Sequence, residues 1–166
     1  MNSPMLKFAN SGTYVMAKYD PETCEKLHRW ANANDIPAPL DHSKLHSTIM
    51  ESKSATIPNH DELNRDVQGM EFSPQKLMLM PTKFKSLSGK LESALIILLN
   101  APELVTLHQE MIARGGRHSR DIYEPHVAIS YFVPRDTNLA GIPLPTFQLS
   151  VQRIIAEPID VDWINH

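Results

Sequence analysis

The chain carries one structural pattern twice, and that repetition limits its fold more than any other feature. Residues 12–19 (GTYVMAKY) are rich in β-branched and aromatic side chains and predict a strand. Asp20-Pro21-Glu22 then opens a helix, with an acidic N-cap, proline in the first turn and an acid beside it. Cys24, Leu27, Trp30 and Ala31 supply its apolar face. A proline-bracketed loop at 34–39 ends the helix, and residues 44–50 (KLHSTIM) predict a second strand. The second half repeats this order. An apolar run at 93–99 reads as a buried strand, and Ala101-Pro102-Glu103 opens a helix that turns Leu104, Leu107, Met111 and Ile112 inward. Gly115-Gly116 stops it, and residues 126–133 predict the matching strand. Pro21 precedes His46 by 25 residues and Pro102 precedes His126 by 24, while His28 and His108 each lie 18 residues before the corresponding histidine.

Such a duplication predicts an α+β fold of two pseudo-symmetric lobes, with antiparallel sheets around a central cleft and helices outside. We expect a single domain over 1–166, with lobes near 12–87 and 88–157 and a C-terminal tail at 157–166. Residues 75–87 and 90–99 predict two longer strands around Ser88-Gly89, and 147–155 alternates like a half-buried strand. The stretch 52–67 is polar and reads as loop with a short helical turn.

Composition narrows the function. At 166 residues and 42% hydrophobic, the chain can bury a core. Its formal net charge of −3 argues against coating nucleic acid through bulk positive charge, so no stable nucleic-acid partner is expected. No apolar run is long enough for a membrane span and no leader pattern opens the chain. The lone Cys24 fits a reducing cytoplasm. Nothing in these features bears on oligomeric state. Eight histidines form the unusual count.

A pseudo-twofold would set His46 and His126 facing each other. Strand side chains alternate, so His46 shares a face with Thr48, and His126 with Ala128 and Ser130. Two imidazoles flanked by hydroxyls suit phosphodiester cleavage. A neutral one takes a proton from the attacking hydroxyl, and a protonated one gives a proton to the leaving oxygen. The hydroxyls donate to phosphate oxygens as charge builds there. His42 and His46 have the i, i+4 spacing of a zinc pair, but a loop-to-strand boundary separates them, so neither metal nor cofactor is expected.

The pair His46-Ser47-Thr48-Ile49 and His126-Val127-Ala128-Ile129-Ser130 resembles the twin His-x-Thr/Ser signatures of the 2H phosphoesterase superfamily. Within it, the chain is most similar to the phage anti-CBASS cyclic-oligonucleotide phosphodiesterases, over Gly12 to Val15, both motifs, and the ending Glu157 to Trp163. The resemblance implies a metal-independent enzyme that destroys cyclic di- and trinucleotides, such as 3′,3′-cyclic GMP–AMP, in the host bacterial cytoplasm. It implies catalysis by His46, Thr48, His126 and Ser130, with Glu157 and Trp163 closing over the nucleotide. Ala128 departs from the pattern, which has Thr or Ser there: either the second hydroxyl is dispensable, or Ser130 or a backbone N–H takes its place.

Other residues allow two readings. Arg114, Arg117, His118 and Arg120 form either a solvated loop or a patch steering an anionic ligand toward the cleft, Arg117 and His118 foremost. Tyr14 either stacks on a base or packs in the core. Two other functions compete with the leading one. One is a 2H phosphodiesterase acting on RNA 2′,3′-cyclic ends, and the other is a protein that sequesters a cyclic nucleotide without cleaving it.

Overall fold

The computed structural model describes residues 12–85, 89–119 and 122–159. Trp163 and Arg120, both singled out by sequence, lie outside the described residues. Among the described residues seven strands and two α-helices follow one another: β1 (Thr13–Tyr19), α1 (Pro21–Ala33), β2 (His46–Ser52), β3 (Arg65–Asp66), β4 (Glu71–Lys85), β5 (Leu91–Asn100), α2 (Pro102–Ala113), β6 (His126–Pro134) and β7 (Leu149–Pro158). All strand pairs are antiparallel, in the order β2-β1-β7-β4-β5-β6, with β3 added to β7. This is the α+β architecture that the repeat predicts.

The two lobes meet at a narrow joint. β4 and β7 share only the pairs Glu71–Ser150 and Phe72–Leu149. One lobe is therefore β2-β1-β7 and the other β4-β5-β6. Strand pairing does not follow a contiguous division near residue 88, because β4 joins the second lobe and β7 the first. Long pairing between β4 and β5, which are neighbours in sequence, favours this arrangement, since local strand pairing closes at little entropic cost.

Local chemistry fixes the helices. Asp20 caps α1 by accepting from the Thr23 amide at 2.8 Å, and Pro21 occupies the first turn. The chain leaves α2 through Gly115 at φ +101, a conformation that favours glycine. α1 buries Cys24, Leu27, Trp30 and Ala31 as its periodicity predicts. α2 differs from expectation by one position. Leu104, Leu107 and Met111 are buried, but Ile112 is 51% exposed and His108 takes the inward place at 7%. The buried ring is tolerated because its Nδ1 donates to the Ile49 carbonyl at 2.7 Å.

One continuous core joins both lobes, with Phe72, Leu149, Leu27, Leu104, Ile49 and Ile129 among its members. It fixes which strand face is left for the cleft. Among the described residues no helix is long and apolar enough to cross a membrane.

Candidate active site

β2 and β6 stand at opposite ends of the strand order, and each begins with a histidine. Both histidines line the same cleft, of about 690 Å³. Each is held alike: His46 Nδ1 donates to the Lys44 carbonyl and His126 Nδ1 to the Glu124 carbonyl, both at 2.8 Å. A carbonyl can only accept, so Nδ1 carries the proton in both rings. Nε2 is then the atom left to exchange protons.

The first signature is completed from β1. The Tyr14 hydroxyl donates to His46 Nε2 at 3.1 Å and accepts from the Thr48 hydroxyl at 2.5 Å. Burial lifts the Tyr14 pKa to about 12, and the nearby Glu51, Tyr131 and Glu157 push the same way against the Thr48 hydrogen bond. Tyr14 is therefore a protonated donor throughout the neutral range. Burial lowers the His46 pKa, and the charges of Lys18 and His126 add to that, opposed by the bond to Lys44.

The second signature is not a copy. Ala128 lies in the cleft where Thr48 lies in the first motif, and brings no hydroxyl. Ser130, expected on the same face, is fully buried on the other: its Oγ donates to the Pro37 carbonyl at 2.5 Å and accepts from the Phe132 amide. The cause is a β-bulge. Opposite β5 the register runs Leu95–Ser130 and then Ile96–Ala128, so Ile129 has no partner and the alternation inverts after it. Tyr131, not Ser130, reaches the cleft.

β2 has the same bulge. Its register against β1 runs Val15–Met50 and then Met16–Thr48, leaving Ile49 unpaired. Both bulged residues thus lie three positions after the histidine. As a result Glu51, like Tyr131, turns into the cleft.

Tyr14, Glu157, Lys18 and Glu51 complete the walls. Tyr14 is paired with Glu51 on one side and Glu157 on the other, so two carboxylates flank its ring across the sheet. Lys18, which donates to the Ser43 carbonyl, supplies a cation beside His46. Period-two alternation from Tyr14 through Met16 points to Lys18, whereas nothing local signals Glu51 or Tyr131.

The basic loop is placed elsewhere. Arg117 is exposed, does not line the cleft, and uses its amide to cap Ser52 Oγ at 2.9 Å. His118 lines a smaller adjoining cavity of about 220 Å³ and accepts from the Glu51 amide. His42 does not line the cleft and lies 3.5 Å from Glu25. Among the described residues, no group of three metal-ligating side chains comes together.

The fold, with both histidine-bearing strands lining one cleft, is that of the 2H phosphoesterases. Solved structures share the fold. Escherichia coli LigT complexed with 3′-AMP superposes with a TM-score of 0.55 at 13% identity, covering 89% of this chain and 87% of that one. LigT complexed with ATP gives 0.52 at 11% identity, covering 89% and 86%. The family model described as anti-CBASS protein Acb1 matches residues 11–166, and the chain belongs to that family. Family and fold together class it as a phosphodiesterase. Its relatives include the anti-CBASS protein Acb1 of Vibrio phage KVP40, 29% identical over 95% of this chain and 95% of the relative. That of Enterobacteria phage T4 is 26% identical, covering 97% and 98%.

Proposed function

We propose that the chain cleaves the 3′–5′ bonds of cyclic di- and trinucleotide immune signals without a metal, using His46 and His126 as its acid–base pair. This activity would counter CBASS immunity in the host cytoplasm. The observation that carries this reading is the matched Nδ1 anchoring, which makes Nε2 the proton-exchanging atom of both rings in one cleft.

The chemistry balances as follows. A ribose 2′-hydroxyl displaces the Tyr14 hydroxyl from His46 Nε2 and attacks the adjacent phosphorus while that nitrogen, kept neutral by burial, takes its proton. The bond from phosphorus to the 5′-oxygen breaks, and His126 gives that oxygen a proton. Water then opens the resulting 2′,3′-cyclic phosphate with the two roles exchanged, leaving a 3′-phosphate. Tyr131 donates to a phosphate oxygen, standing in for the hydroxyl that Ala128 lacks, and Thr48 joins it by turning its one proton from Tyr14 to the phosphate. Lys18 offsets the phosphate charge. Glu157, on the cleft rim, accepts from a base edge; by the family resemblance Trp163 covers a base.

The test is incubation with 3′,3′-cyclic GMP–AMP in excess EDTA, with products separated by chromatography. Linear product ending in a 3′-phosphate is expected. Intact substrate co-eluting with the protein would mean sequestration. Cleavage of an RNA 2′,3′-cyclic end alone would move the substrate class to RNA.

A further inference from the structure

β2 is an edge strand, and such strands ordinarily leave a row of backbone groups to solvent. Here that row is taken up by three side chains and one backbone amide from the second half of the chain. Tyr123 Oη donates to the Thr48 carbonyl at 2.8 Å, and His108 Nδ1 to the Ile49 carbonyl at 2.7 Å. The Glu51 amide donates to His118 Nδ1 at 3.4 Å, and the Ser119 amide to the Glu51 carbonyl at 3.0 Å. The His108 and Tyr123 rings are stacked, 4.1 Å apart and 3° from parallel, with His118 edge-on to His108 at 4.7 Å.

These contacts are concentrated at the bulge. Ile49 has no ladder partner, so the His108 bond satisfies a buried carbonyl and holds the inverted alternation that sends Glu51 into the cleft. The Tyr123 bond grips the residue before it, Thr48. The Thr48 hydroxyl in turn donates to Tyr14, and Tyr14 donates to His46. The equivalent carbonyl on β6, that of Ile129, is held by the Leu40 amide at 2.8 Å and needs no side chain. The stacked pair is thus specific to the His46 side.

We infer that His108 and Tyr123 are positioning residues for the reaction: through the Thr48 and Ile49 carbonyls they fix the orientation of the Thr48–Tyr14–His46 chain. The inference rests on the two-histidine reading for its effect on turnover, but its effect on His46 can be measured without turnover.

Tyr123→Phe keeps the stacked ring and removes the hydroxyl alone. His108→Leu removes the donor, and His108→Asn restores an N–H near the place of Nδ1. The readouts are kcat and KM on 3′,3′-cyclic GMP–AMP, NMR titration of His46, and thermal melting. Tyr123→Phe should lower kcat by about 5- to 30-fold with little change in KM, as expected when losing one hydrogen bond misaligns groups that act in the transition state. Its His46 midpoint should move up toward the ordinary histidine value as water gains access. His108→Leu should lower kcat similarly, and His108→Asn should recover most of the loss. A lower melting temperature with kcat and the His46 midpoint unchanged would reduce the pair to packing and overturn the inference. Should His108→Leu fail to fold, Tyr123→Phe decides alone. A shifted His46 midpoint in a protein that cleaves nothing would sink the proposed function while leaving the positioning intact.

Discussion

His46 and His126 are anchored through the same ring nitrogen to the same relative position, the carbonyl two residues earlier, at the same 2.8 Å. The agreement is closer than the sequences of the two halves suggest. It makes the rings equivalent in tautomer yet unequal in surroundings. His46 is bonded through Tyr14 to Thr48, whereas His126 is followed by Ala128. An acid–base pair needs that inequality, since one ring must be neutral while the other is protonated.

The first prediction concerns these rings. His46→Ala and His126→Ala should each lower kcat by about 10²- to 10⁴-fold, while affinity for uncleaved cyclic nucleotide stays near that of the wild type. Single-turnover cleavage and binding titration measure the two quantities separately. Wild-type cleavage rates in either variant would remove that histidine from the mechanism.

Much of this site is legible in the sequence. Alternation places His46 beside Thr48, and the Pro-Glu helix openings mark both repeats. What the sequence hides is decided by distant partners. Nothing near Ile49 or Ile129 marks a bulge, because the unpaired carbonyls find their donors in His108 and Leu40, far along the chain. A strand without bulges would keep Ser130 in the cleft. The inward place of His108 is hidden for the same reason: its burial depends on a carbonyl that helical periodicity does not report. The pairing of β7 with β1 is likewise a long-range choice.

The bulge on β6 makes a prediction that separates two hydroxyls. Ser130→Ala removes a buried donor to Pro37 and leaves that carbonyl without it, so it should cost about 1–3 kcal/mol of stability. Its kcat should not change. Tyr131→Phe should do the opposite, lowering kcat by about tenfold with little effect on melting. Adding Ala128→Thr to Tyr131→Phe should restore part of the rate. Loss of catalysis in Ser130→Ala without loss of stability would mean that the bulge does not hold in solution.

Tyr14 offers a third test. Its hydroxyl joins Thr48 to His46, and its raised pKa keeps it protonated. Tyr14→Phe retains the ring between Glu51 and Glu157 but breaks the chain, and should reduce kcat by about 5- to 30-fold. The ring is kept, so KM should change little. An equal loss in Tyr14→Phe and Tyr14→Ala would show that the hydroxyl carries all of the contribution.

The last prediction is the pH profile. Burial lowers the His46 pKa first, and the charge of Lys18 lowers it further. If His46 is the general base, it works only when neutral, so kcat/KM should rise with pH through a midpoint below about 6.5. Lys18→Met removes one cause of the depression. The midpoint should therefore move up, and the variant should lose proportionally more activity at acidic pH than at neutral pH. Stability follows the same sign. Because the folded pKa lies below the unfolded one, the contribution of neutral His46 is complete above about 6.5 and is lost as pH falls toward the folded value. Melting measured across that window should therefore drop less steeply in Lys18→Met than in the wild type. Profiles of kcat/KM that coincide for wild type and Lys18→Met would show that the acid limb does not belong to His46, and the base would have to be His126.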